Sequence, residues 1–171
     1  MVESYNSKNE FEGGEIVSMY QSAELLREEN KTTKDIVLAI GKFIVKHARS
    51  VDKPYQPKSI LESRFTPAEE AFSKGMKSCG AIANISAEML RHLGFEVKLV
   101  HGESEQSFDH AWISVRDPDT DSWVEFDLTR NDGDIPPAHK KKIEVNSWEE
   151  IREQIVKDHS AFVASGSKGR K

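Results

Sequence analysis

The stretch Ser78-Cys-Gly-Ala-Ile-Ala-Asn-Ile-Ser-Ala-Glu-Met-Leu-Arg-His-Leu-Gly-Phe-Glu-Val-Lys-Leu-Val100 contains a change of period. Up to Gly94, Ile82, Ile85, Met89, Leu90 and Leu93 recur at helical spacing, and Gly94 stands where a helix ends in a left-handed residue. After Gly94 the alternation drops to two. "FEVKLV", "DHAWISVR" and "SWVEFDLT" each alternate apolar and polar residues, with the turn-rich "DPDTDS" between the last two. A helix feeding an antiparallel meander defines an α+β chain. The helix also begins at the chain's only cysteine, Cys79. A lone thiol of this kind is either a small buried hydrophobe or a nucleophile at a helix head.

Upstream, the pattern is helical. Ile16, Met19, Tyr20, Ala23 and Leu26 predict a helix from Glu15 to about Glu29. Thr32 and Asp35 open a second, with Ile36, Val37, Ile40, Phe43 and Ile44 on one stripe. "SVDKPYQPKS" breaks that helix with two prolines. Thr66-Pro67-Ala68-Glu69 reads as N-cap, first-turn proline and capping glutamate of a short helix that Gly75 closes. Residues 131–146, with Pro136-Pro137, read as a loop, and Lys140-Lys141-Lys142 as a solvated basic run. Ser147 and Glu150 form a capping box for a last helix through about His159. The expected organisation is a flexible arm at 1–14, one domain over 15–160 and a flexible tail at 161–171.

With 171 residues, 37% apolar, and a formal charge of −5, the chain suits one cored domain and lacks the basic stripe of a nucleic-acid platform. One cysteine excludes an intrachain disulfide. The polar, acidic start lacks the features of a signal peptide, and no run approaches the ~20 apolar residues of a membrane helix. A cytoplasmic protein with no membrane partner is the expectation. "DPDTDS" matches the first three ligand positions of a calcium loop, but Ser122 stands at its glycine position and Leu128 at its glutamate position, so it reads as an acidic hairpin turn. Cys79, His92, His101, His110 and His139 fall in no zinc-ligand spacing, and neither a metal nor another cofactor is expected.

Two strands decide how the thiol is read. Ala111, Ile113 and Val115 share a face opposite His110, Trp112, Ser114 and Arg116. Val124, Phe126 and Leu128 share a face opposite Trp123, Glu125, Asp127 and Thr129. With both apolar faces on the core, His110 and Asp127 fall on the same side. Pairing Arg116 with Trp123 sets His110 opposite Thr129 with Asp127 its diagonal neighbour, and a two-residue slip sets it directly across from Asp127. A one-residue slip would expose the core face. Cysteine, histidine and aspartate in this arrangement suit thiol acyl transfer. The carboxylate orients the imidazole, the imidazole moves the proton, and the helix head favours thiolate. Gly80 reads as room for a substrate carbonyl.

"SCGAIANISAEMLRHLGFEVKLVHG", "DHAWISV" and "WVEFDLT", in that order, resemble the transglutaminase-like core domain of the papain-like cysteine enzyme superfamily. The resemblance implies N-terminal helices packed on an antiparallel sheet of three or more strands, with a C-terminal helix. It implies Cys79 as nucleophile, His110 as general base and acid, and Asp127 as orienting carboxylate. Trp112 would wall the cleft or simply cover the sheet, and Tyr55 and Gln56 are candidates for a side-chain oxyanion donor. The family's usual Gly-x-Cys is here Lys77-Ser78-Cys79. The expected substrate is a peptide or protein, with hydrolysis of an amide or transfer to an amine both open. The alternative is a non-catalytic binding module on the same fold.

Overall fold

The computed structural model describes residues 18–165. Helix α1 (Met19–Glu29) is capped by Ser18, whose hydroxyl accepts from Gln21 N–H while the Gln21 side chain returns to the cap. The expected start at Glu15 lies outside the described residues. Helix α2 (Thr33–Ser50) is capped by Thr32, and its expected stripe of Ile36, Val37, Ile40, Phe43 and Ile44 is buried. Two short helices follow, α3 (Ile60–Phe65) and α4 (Ala68–Ser73). Thr66 does not cap α4. Its N–H and hydroxyl both bond Glu62 O, so it closes α3, and Pro67 holds the cap position. Gly75, at φ +68°, turns the chain toward α5 (Cys79–His92).

Helix α5 stops at Leu93, with Gly94 at φ +91° as expected. Strands β1 (Val97–Ser104), β2 (Ser107–Asp117), β3 (Ser122–Phe126) and β4 (Lys140–Val145) form an antiparallel sheet in the order β3-β2-β1-β4. Val97, Leu99 and His101 pair with Val115, Ile113 and Ala111, so these six side chains share one face. All six are buried, in a layer that α5 and the C-terminal helix cover. The "DPDTDS" segment is the β2–β3 turn, closed by Asp121 at φ +58° and by Asp117 accepting from Asp119 N–H.

Three expectations need correction. Residues 131–146 are not wholly loop, because Lys140–Val145 pairs with β1 as an edge strand. Its lysines stand exposed along that edge, where charge discourages further strand pairing, and they hide the strand pattern. Val124 is 41% exposed despite its core-facing phase, because β3 is the opposite edge. The last element starts with a 3₁₀ turn (Trp148–Ile151) under the Ser147–Glu150 capping box and continues as α6 (Arg152–Ala164), past the expected end at His159. No helix among the described residues is long and apolar enough to cross a membrane.

Candidate active site

Ser78 positions the thiol. As N-cap of α5 its hydroxyl lies 3.4 Å from Ala81 N–H and 2.6 Å from the Ser63 hydroxyl on α3. This ties the Lys77-Ser78 approach to a neighbouring helix. Gly80 has a packing reason rather than the cleft role expected of it. A Cβ there would lie 2.7 Å from Ser63 Oγ and 2.8 Å from Ser63 O, so glycine allows α3 to abut the first turn of α5. Cys79 is half-buried at that turn, and the first N–H groups of the helix have no intrahelical acceptors.

The β2–β3 register is the one in which Arg116 pairs with Trp123. Pairing ends at Ile113–Phe126, so Asp127 leaves the ladder as the first residue of a loop and reaches His110 from there. His110 Nε2 lies 2.8 Å from Asp127 Oδ2. The Cys79 thiol and the His110 ring interact electrostatically, and with Nε2 engaged by Asp127 the ring nitrogen left for the thiol is Nδ1. Both Asp127 oxygens are in use. Oδ1 accepts from Thr129 N–H at 3.1 Å and from Thr129 Oγ1 at 2.5 Å, and Oδ2 receives a second imidazole, His139 Nε2, at 2.8 Å.

Electrostatics follow from these contacts. Burial opposes charge on Asp127, but hydrogen bonds from His110, Thr129 and His139 hold its carboxyl far below the ordinary carboxylate range. Burial likewise favours neutral His110, yet its bonds to Asp127 and Cys79 lift it to about 9. Burial pushes the Cys79 thiol up. The His110 hydrogen bond and the Arg64 and His110 charges outweigh that and bring it below the ordinary thiol value. The group therefore favours thiolate beside imidazolium, protonating as a coupled pair.

Arg64 is a second contributor that sequence reasoning missed. Its guanidinium is 1% exposed, ion-paired with Asp109 beside His110 and stacked 4.5 Å from the Trp148 ring centroid. Asp109 also lies 3.5 Å from His101 Nδ1, and His101 Nε2 meets Asp158 at 2.7 Å. This buried chain of polar contacts ties α3, β2, β1 and α6 together behind Cys79, His110 and Asp127.

Trp112 is 2% exposed, with Nε1 donating to Glu125 at 2.9 Å. Its ring centroid stands 5.8 Å from that of His110 and 5.2 Å from that of His139. It lies against Gly102, where a Cβ would come within 2.5 Å of the indole. The tryptophan is thus a wedge behind both imidazoles. The Tyr55 hydroxyl donates to Glu62, and Gln56 is exposed with no hydrogen bond described to Cys79 or His110. The structure therefore gathers Cys79, His110, Asp127 and Trp112, and adds His139. His110, Asp127 and His139 offer ligand atoms within 4.8 Å of one another. Both ring Nε2 atoms meet one carboxylate oxygen, Asp127 Oδ2, while His139 Nδ1 is buried without a hydrogen-bond partner among the described residues.

A cavity of about 450 Å³ opens beside His110, Asp127 and His139, bounded by Gln106, Arg130 and Pro136. Among solved structures, a crystal structure described as a TGase matches at 15% identity with a TM-score of 0.45, covering 78% of this chain and 34% of that one. The chain thus spans about a third of that protein's length. No curated protein matches. The sequence profile of the transglutaminase-like superfamily matches residues 21–128, which take in the N-terminal helices, the cysteine helix, the strand bearing His110 and the loop residue Asp127. The chain belongs to the transglutaminase-like superfamily.

Proposed function

We propose that the protein is a cysteine acyl-transfer enzyme that hydrolyses a peptide or amide bond through a thioester on Cys79. The observation that carries this reading is the buried Asp127 carboxylate, bonded to His110 Nε2 and to Thr129 N–H, with the Cys79 thiol coupled electrostatically to the same imidazole. A binding module has no use for a histidine held charged against a thiol.

In the proposed cycle the Cys79 thiolate attacks the carbonyl carbon, and N–H groups in the first turn of α5 face the developing oxyanion. Collapse breaks the C–N bond, and the departing amine takes the His110 proton. Neutral His110 then removes a proton from water, whose oxygen attacks the thioester. The carboxylic acid product leaves and the Cys79 sulfur departs as thiolate, with His110 again protonated. Asp127 keeps Nε2–H directed at itself and Nδ1 at the sulfur throughout.

Cys79→Ala is expected to abolish cleavage in a screen of peptide and amide substrates, and activity that survived the change would overturn the mechanism. With wild-type protein, kcat/KM should fall as pH rises through about 9, where His110 loses the proton that the leaving amine needs. The same raised value has a consequence for stability. Partners that favour charged His110 stabilise the fold fully below the unfolded imidazole value near ~6.5, and that contribution is lost as pH rises through about 9. A kcat/KM flat across pH 8–10 would contradict the acid role of His110.

A further inference from the structure

We propose that a basic groove with an apolar floor, next to the cleft, receives an acidic segment of the polypeptide substrate. This deepens the acyl-transfer reading and rests on it. On α2, Lys42, Lys46 and Arg49 fall four and three residues apart, on one helical face, and all three are exposed. Arg130, from the loop after β3, joins them around a cavity of about 390 Å³. Leu38, Val45 and Leu128 supply its apolar lining. Gly41 lets the loop settle there, because a Cβ at this position would already be 3.0 Å from Leu128 Cδ2.

Charge makes the groove distinctive. The chain as a whole carries −5, yet among the described residues four cationic side chains and no carboxylate line this cavity. The ion pair of Arg130 with Asp132, at 3.5 Å and solvent-exposed, is a weak competitor for an incoming anion. Thr129 and Arg130 also line the cavity beside His110 and His139, so the groove and the cleft share a wall. Alternating acidic and apolar side chains fit a basic rim over an apolar floor. A single-stranded nucleic acid fits less well, because among the described residues no aromatic ring lines the groove for base stacking.

The test uses Cys79→Ala protein and three fluorescein-labelled probes read by anisotropy: a Glu-Leu alternating octapeptide, its Lys-Leu counterpart and octathymidylate. The Glu-Leu peptide should bind, weaken with added salt, and lose about tenfold or more in affinity in both Lys42→Glu/Arg49→Glu and Arg130→Glu backgrounds. The Lys-Leu peptide should not bind. In wild-type protein the bound Glu-Leu peptide should also slow iodoacetamide alkylation of Cys79. Equal binding of the two peptides, indifference to both charge reversals, octathymidylate binding as tight as the peptide, or no protection of Cys79 would each overturn the proposal. Because binding is read without the thiol, these failures are separable from failure of the acyl-transfer reading, which would show as ordinary, His110-independent alkylation of Cys79 with no peptide present.

Discussion

His110→Ala is expected to slow alkylation of Cys79 by iodoacetamide at pH 6 by about tenfold or more. An ordinary thiol with pKa ~8.5 is roughly 0.3% thiolate at that pH. In the native site the His110 hydrogen bond and the nearby positive charges of Arg64 and His110 outweigh burial and favour thiolate. Full ionisation would raise the reactive fraction by a few hundredfold, and the lower nucleophilicity of a more acidic thiol returns part of that gain. Removing the imidazole leaves the burial penalty with only the Arg64 charge in opposition. The native rate should exceed the variant's throughout the range below the ordinary thiol value, whereas the variant's should climb steeply with pH. Labelling is unambiguous because the chain has no other cysteine.

The second large effect is on stability. Arg64→Ala should cost about 3–5 kcal/mol, the usual consequence of leaving one member of a buried ion pair alone. Asp109 would be the stranded charge, 6% exposed and next to His110. Loss of the guanidinium also removes its stacking on Trp148. The double change Arg64→Met/Asp109→Leu should be less damaging than Arg64→Ala, because it strands no charge. Urea unfolding monitored by tryptophan fluorescence checks both variants. A cost below about 1 kcal/mol for Arg64→Ala would mean that the pair contributes little to the fold.

Much of this site is legible in the residues because it depends on short-range regularities. The 3.6 period and Ser78 place Cys79 at a helix head, and the period of two in β2 and β3 fixes which residues accompany His110. The register with Arg116 opposite Trp123 occurs in the structure, but Asp127 meets His110 from the loop beyond Phe126 rather than from within the ladder. What escapes the sequence depends on distance. Arg64 and Asp109 are 45 positions apart, and an arginine in a mixed six-residue helix gives no sign that it will be buried. His139 reaches Asp127 from the loop that follows Pro136-Pro137, and a histidine there matches no spacing rule. Strand β4 escapes for a different reason: an edge strand protected by lysines resembles a solvated loop. Gly80 shows the same limit, since its small size answers to Ser63 on another helix.

The central claim is that Cys79 and His110 form a charged pair oriented by Asp127, and the most direct measurement is a pH titration of thiolate absorbance near 240 nm. The lone cysteine makes the thiolate signal specific to one residue. Native protein should show thiolate already present well below pH 8.5, with a further change near 9 as His110 deprotonates. The low-pH thiolate should disappear in His110→Ala. A single transition at the ordinary thiol value, identical in native protein and His110→Ala, would contradict the account.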